Sequence, residues 1–546
     1  MLNNRLYTLQ WLLFGIGSLS PIFSINKQKN SNQKPNVLII VTDDQRWDAI
    51  QALSPHKWLK TPNMDKLVNE GVAFTRAYCQ TPLSAASRAA ILSGRYAQRN
   101  GIYGFENYPD TSSVLRPWLP EILNQNGYEC ALFGKDGTGR ITQKENGKFI
   151  GGNEKYFTDG FIELGDYAKA GKKIDESKLD FKKYDVITRT DKGGVIIGGI
   201  DPNPAGQTID AYIAEDALNY ISAKDRKEDK PFYLHVGFNY PHTPVLVPKP
   251  FDTLYDASKM NISDFTPEEF SKMSPQVQGA VDRFMMKGLT KEQIQKTIAN
   301  YYAYNSYGDI YFGKVVDAFK KKSQEQGRKW IIVLVSDNGW HLGEHGMNAK
   351  FTYYDQSVRL PLIVASSDEK FKHGIKSSNI AEFVDIVPTI LSYAKIKKPD
   401  YLDGRDLYQT YTNSIEPRKE AISEEFHVMR RGMVSGKFNG QDFVFSMRTR
   451  PENFILGDNM DWVKTASNDQ LDIHLFNLNK DQSEINNLAE NPKFSHVISY
   501  FKTRLIERLF SNRIEPRWQD MIDQRQSYGN GILGSELSTE QIRKSK

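Results

Sequence analysis

Cysteine is scarce in this chain: Cys79 and Cys130 are the only two among 546 residues. That excludes a disulfide-rich scaffold and leaves one bridge between them open. No zinc-finger spacing of Cys and His occurs, and no nucleic-acid module is recognisable. An excess of one charge is also missing. Lys and Arg number 71 against 66 Asp and Glu, a net charge of +5. So mild a balance gives no argument for nucleic acid and is compatible with an anionic substrate. Internal repeats and low-complexity tracts are absent. Beyond a short apolar stretch at the N-terminus, no segment is long and apolar enough to read as a membrane span.

What is present is ordinary for a globular enzyme. The chain is 39% hydrophobic and 25% charged, unlike a disordered one. Its length suits one large or two smaller domains. Near the N-terminus, Arg5 precedes the apolar stretch Leu9 to Gly17, then small residues to Ser24 and a polar spacer. This pattern predicts a signal peptide over residues 1–24 and export. It is too short and interrupted for a membrane span, so none is expected in the mature chain.

Val37-Leu38-Ile39-Ile40-Val41 is an unbroken β-branched run that ends in Thr42-Asp43-Asp44. Trp330 to Val335 is a second, ending in Ser336-Asp337-Asn338-Gly339. Phe232 to Gly237 is a third, and Leu360 to Ala365 a weaker fourth. Such runs fit strands buried on both faces. Helical patterns over 208–222 and 295–321 lie between them. The expected fold is α/β, a large mostly parallel sheet flanked by helices. Residues 141–206 and 251–290 read as polar surface insertions that shape a cleft. The texture changes near 416. Strand-like pieces at 433–437, 442–447 and 474–478 precede a helix over 492–510. This predicts a main domain over 34–415, a smaller α+β unit over 416–525 and a polar tail over 526–546.

Two strand ends carry the chemistry. If they are neighbours, Asp43, Asp44 and Asp337 converge with Asn338 where α/β sheets gather ligands. Three carboxylates that close repel one another unless a cation lies among them. An all-oxygen set favours a hard cation, calcium before magnesium. Either motif alone also suits a simple turn. The segment TPLSAASRAAILSGRY, residues 81–96, reads as a helix beginning at Ser84 and stopping at Gly94. Ser84 and Arg88 share a face, and a helix N-terminus beside a guanidinium favours an anion. Ser84 alone also suits a helix cap.

Ser84-Ala-Ala-Ser-Arg88, followed by Ala-Ala-Ile-Leu-Ser-Gly-Arg-Tyr, resembles the signature of type I sulfatases, an alkaline-phosphatase-like family. NVLIIVTDDQ, SDNGWHLGEHG with Lys350 behind it, FTYYDQSVRLPLIV and LFNLNKDQSEINNLAENP resemble further family segments, in order. The likeness spans about Pro35 to Asn491. It implies that a serine-type bacterial maturase oxidises Ser84 to formylglycine. One hydroxyl of the hydrated aldehyde attacks sulfur, and the second later expels sulfate. By position, the resemblance gives Asp43, Asp44, Asp337 and Asn338 to one calcium ion, together with the Ser84-derived group. Arg88 steadies the formylglycine, Lys135 and Lys350 bind sulfate oxygens, and His242 contacts sulfate or protonates the leaving oxygen. Cys79 lacks the required spacing to Arg88.

One position departs from the pattern. Gly137 stands where the family carries a histidine, and His341 is the candidate substitute. The wording around His341 and His242 is similar to iduronate 2-sulfatases and related glycan sulfatases. The expected partner is therefore a sulfated carbohydrate such as a glycosaminoglycan, met in the periplasm or at the surface of a Gram-negative-type bacterium. His427, Arg430 and Arg431 are candidates for contacting the sugar. A phosphate or phosphonate ester hydrolase of the same superfold, and a glycan-binding protein without turnover, are the alternatives.

Overall fold

The structure is a computed structural model. It describes residues 33–509 except 103–116, 139–143, 146–147, 150–178, 190–194, 225, 227–228, 274–285, 287, 351, 369, 372, 427–429 and 450–463. The expected signal peptide, the polar tail and His427 therefore lie outside the described residues.

Seven strands form the main sheet: β1 (Asn36–Thr42), β2 (Val72–Tyr78), β3 (Glu129–Gly134), β4 (Phe232–Gly237), β5 (Trp330–Ser336), β6 (Leu362–Ser366) and β7 (Ile375–Glu382). Their spatial order is β7-β2-β6-β5-β1-β4-β3. β1 pairs in parallel with both β5 and β4, β4 with β3, and β2 with β7. Only β6 runs antiparallel to its neighbours. The expected α/β architecture is present. The three long apolar runs are its central strands, and the fourth is its one reversed strand.

Those runs are apolar throughout because both faces are covered. Val37, Ile39 and Val41 face one core layer, built with α2 (Ser84–Ser93), α3 (Leu119–Gln125) and α6 (Ile386–Tyr393). Leu38 and Ile40 face the other, built with α1 (Pro62–Glu70), α4 (Ile209–Ser222) and α5 (Lys291–Glu325). Thr208 caps α4, and Thr290 with Gln293 forms a capping box on α5. α5 is longer at both ends than its apolar periodicity predicts.

A second sheet is antiparallel, with strands β8 (Glu420–Phe426), β9 (Arg430–Phe438), β10 (Gln441–Thr449) and β11 (Leu471–Asn477). Its core is closed by α7 (Ser495–Leu509) through Val497, Phe501 and Leu505. Tyr78 of β2 accepts a hydrogen bond from Ser435 at 3.0 Å, and Glu424 N donates to Gln80 O at 2.8 Å. The two sheets thus belong to one compact unit from Lys34 onward. Of the predicted insertions, Ile187–Arg189 and Val195–Asp201 join Val245–Pro248 in a small three-stranded sheet. Cys79 and Cys130 are both free and buried, and burial pushes both thiols up.

Candidate active site

The β1–β5 register pairs Thr42 with Ser336. Both strands therefore end level, and the next residues meet. Asp337 Oδ1 accepts from the backbone N–H of Asp44 at 3.1 Å and of Asn338 at 2.8 Å. Asn338 Nδ2 donates to Asp44 Oδ1. Asp43, Asp44, Asp337 and Asn338 are all fully buried. Asp44 adopts the left-handed conformation, φ +65°, a costly state for a residue other than glycine. Tyr301 of α5 holds it there. Its hydroxyl donates to Asp44 O at 2.7 Å and accepts from Arg46 N at 3.0 Å. Nothing in the sequence singles Tyr301 out, because it sits in a row of buried helical tyrosines.

Ser84 is the first residue of α2, and the extended Leu83 precedes it as N-cap without a side-chain cap bond. The cap reading of Ser84 is therefore corrected: its hydroxyl is turned to the strand ends. Ser84 Oγ donates to Asn338 Oδ1 at 3.2 Å and accepts from Lys350 Nζ at 3.1 Å. One turn on, Arg88 donates from Nε to Asp337 Oδ2 at 2.9 Å and from Nη1 to Lys135 O at 2.8 Å. Its Nη2 stands 3.7 Å from Asp43 Oδ2. Gly94 ends the helix in the left-handed region.

Three further side chains close the site. Lys350 Nζ bonds Asp44 Oδ1 at 2.7 Å. Lys135, just past β3, bonds Asp43. His242, past β4, places Nε2 3.9 Å from Asp44 Oδ2, with Nδ1 2.5 Å from Thr243 O. Burial alone would push Asp43 up, but Lys135, His242, Arg88 and Lys350 hold it well below the usual carboxylate value. Asp44 goes the other way. Burial raises it, Lys350 and His242 offset this in part, and the like charges of Asp43 and Asp337 add to it. Lys350 stays cationic because Asp44, Asp43 and Asp337 outweigh its burial. Burial lowers His242, against the pull of Asp43 and Asp44.

The donor set fits a hard divalent cation. Asp43 Oδ1 and Asp44 Oδ2 are buried without a hydrogen-bond partner, a costly arrangement unless a cation completes it. Ligand atoms of Asp43, Asp44 and His242 lie within 4.8 Å of one another. A carboxylate-rich set of this kind is suited to calcium or magnesium rather than to a thiophilic metal.

Gly137 also lies here. At φ +70°, a Cβ on it would stand 3.0 Å from Arg88 Cδ and 3.6 Å from Lys135 Cε. The position is thus at the site, but its backbone and its neighbour both resist a side chain. His341 does not replace the missing histidine. It is fully buried, its Nε2 bonds Thr352 Oγ1 at 2.8 Å, and its ring packs on His345 and Tyr354. It holds its own loop and offers no surface to a sugar, which corrects the expectation for it. Arg430 and Arg431 begin β9, but their side chains lie outside the described residues, as does His427. A histidine that sequence reasoning missed is His235 on β4. It is buried, its Nε2 has no partner, and burial with the nearby Arg88 charge drives it down to about 3.

A family model described as Sulfatase matches residues 35–396. A protein named Sulfatase from Formosa agariphila is 29% identical over 495 residues, covering 84% of this chain and 89% of its own. Human iduronate 2-sulfatase is 24% identical, covering 72% and 74%. Among solved structures, the phosphonate monoester hydrolase of Silicibacter pomeroyi superposes with a TM-score of 0.66 at 21% identity, covering 88% and 96%.

Proposed function

This chain belongs to the sulfatase family, and from that premise we propose that it removes sulfate esters from a sulfated glycan, using formylglycine made from Ser84 and one bound calcium ion. The observation that carries the reading is the placement of Ser84. Its Oγ lies at the N-terminus of α2, 3.1 Å from Lys350 Nζ and 3.2 Å from Asn338 Oδ1, beside two unpartnered carboxylate oxygens.

Asp43, Asp44, Asp337 and Asn338 would hold the cation, which would supply Lewis-acid neutralisation of sulfate oxygens. Oxidised Ser84 supplies a second hydroxyl, and so the means of turnover. The chain's own residues do the rest. Arg88 is fixed by Asp337 and the Lys135 carbonyl, so its guanidinium orients the Ser84 position without reorganising. Lys135 and Lys350 are each held by a carboxylate and present ammonium groups to an anion's oxygens. His242, with Nε2 3.9 Å from Asp44 Oδ2, is read as contacting the sulfate or giving a proton to the leaving oxygen. Sugar as the substrate class rests on relatives named for it, iduronate 2-sulfatase among them. Export, as the N-terminal pattern predicts, places the enzyme where such glycans occur.

The test joins two measurements. Peptide mass spectrometry on protein made with a serine-type maturase should find Ser84 oxidised. The same preparation should release sulfate from members of a panel of defined glycosaminoglycan and algal saccharides. Full activity with unoxidised Ser84 would refute the formylglycine step. A second reading is phosphonate or phosphate ester hydrolysis, favoured by the shared fold of the phosphonate monoester hydrolase. Matched sulfate, phosphate and phosphonate esters separate the two, and a strong preference for phosphorus would replace the sulfatase reading.

A further inference from the structure

His242 stands on the loop that follows β4, and the side chain that fixes this loop belongs to another element. Asp210 is the second residue of α4 and is fully buried. Its Oδ1 accepts from the backbone N–H of Asn239 at 2.7 Å and of Tyr240 at 3.3 Å. Its Oδ2 accepts from the Tyr304 hydroxyl of α5 at 2.8 Å. Two further bonds carry this anchorage to the reaction centre. Asn239 O accepts from His242 N at 2.8 Å, which closes a β-turn over residues 239–242, and Tyr240 O accepts from Asp43 N at 3.1 Å.

Three observations set Asp210 apart from an ordinary helix-start carboxylate. First, an acidic residue in the first turn commonly serves its own helix. Here Thr208 makes the cap bond, to Ala211 N, and both Asp210 oxygens are used on other elements. Second, Asp210 forms no ion pair among the described residues. Burial pushes its carboxyl up to about 6 against its hydrogen bonds. A buried carboxylate without a cation is costly, and two loop N–H groups and one phenol offset that cost. Third, the imidazole has few bonds of its own. His242 Nδ1 meets Thr243 O at 2.5 Å, Nε2 stands 3.9 Å from Asp44 Oδ2, and the side chain is 26% exposed. Ring placement therefore follows the backbone of the turn.

We propose that Asp210 is a positioning residue for His242: through the Asn239–His242 turn it fixes where the imidazole Nε2 meets the leaving oxygen, and Tyr304 orients the carboxylate. The proposal rests on the reading of His242 as the group that gives this oxygen a proton. As the sulfur–oxygen bond breaks, its electron pair stays on the departing oxygen. The Nε2 proton of the imidazolium passes to that oxygen and leaves a neutral imidazole. A poor leaving group needs this proton more than a good one does, so the loss of Asp210 should depend on the leaving group.

Full mature protein with oxidised Ser84 and calcium is assayed on para-nitrophenyl sulfate, a good leaving group, and on para-methoxyphenyl sulfate, a poorer one. Asp210→Ala should lower kcat on the methoxy ester at least about tenfold more than on the nitro ester. Asp210→Asn keeps an acceptor oxygen for the two N–H groups and should recover most of that loss. His242→Ala should show the same selectivity, and adding Asp210→Ala to it should cost nothing further. Tyr304→Phe should lean the same way by about threefold, and it carries the test if Asp210→Ala fails to fold. A loss equal on both esters, or one undiminished in the His242→Ala background, overturns the proposal. Hydrogen exchange of the peptide spanning residues 239–242 gives a readout free of the chemistry. Its amides should exchange at least about tenfold faster in Asp210→Ala, and unchanged protection also overturns the proposal. Parent protein that releases no sulfate from either ester or from the saccharide panel sinks the sulfatase reading, and the exchange then decides the anchoring alone.

Discussion

Ser84 and Gly137 are the residues on which the chemistry turns. Ser84 makes no cap bond, so Ser84→Ala should spare the stability, about 0.5–2 kcal/mol, that a capping serine contributes. Turnover should fall by about 10³-fold or more, while thermal unfolding shows a Tm close to the parent's. Retained turnover removes Ser84 from the mechanism. Gly137 invites the opposite experiment, restoring the family's histidine. Gly137→His puts a Cβ into a left-handed backbone, costing about 1–2 kcal/mol, and presses on Arg88 Cδ. It should lower both Tm and kcat rather than raise them. A gain in kcat would show that the neighbourhood of Arg88 yields to a ring. The sequence showed the gap at 137 but not its cause, because a φ angle and a contact with Arg88 of another element are not local properties.

At the scale of elements, α5 does two jobs that its periodicity does not announce. Tyr301 pins the strained Asp44 turn through its hydroxyl. Tyr301→Phe keeps the packing and removes both bonds. It should weaken cation affinity and reduce kcat/KM by about tenfold, as read by metal titration and steady-state kinetics. Unchanged values in both would mean the turn holds itself. Further along, Asp309 accepts from the N–H groups of Asn63 and Met64 at 3.0 and 2.7 Å and so ties α1 to α5. Burial raises it from 3.8 to about 6, against those bonds. A carboxyl raised on folding contributes stability that is full below its unfolded value and is lost as pH rises through its folded one. The Tm of the parent minus that of Asp309→Asn should therefore fall as pH climbs from about 4 to about 6 and be flat above. A difference that rises with pH contradicts the assignment. The helices α2, α4, α5 and α7 were legible because capping residues and apolar spacing are local, whereas α1, α3 and α6 were not singled out. The strands β2, β3 and β7 were not, since Phe74-Thr75-Arg76 and its like lack the long apolar runs of the sheet centre.

The whole molecule brings a buried, charge-balanced cluster together. Asp43, Asp44 and Asp337 face Arg88, Lys135 and Lys350, three carboxylates against three cations. Two carboxylate oxygens still lack partners, so a hard cation that binds only the folded chain should stabilise it. At a hundredfold excess over Kd the gain is about 2.7 kcal/mol. Calcium should raise Tm and a chelator lower it, and Asp337→Ala should abolish the difference. A Tm indifferent to calcium and chelator would refute the cation site.

The sequence by itself determined the α/β class, the central strands, the helix at Ser84 and the family motifs. Each of these is written in short-range pattern: unbroken β-branched runs, helical spacing, a fixed Ser-to-Arg interval. The tertiary structure decided what those pieces meet. It levelled the ends of β1 and β5 so that Asp43, Asp44, Asp337 and Asn338 converge. It turned the Ser84 hydroxyl from cap to site and withdrew His341 into its own loop. These depend on register and packing between residues hundreds of positions apart, which no local pattern encodes.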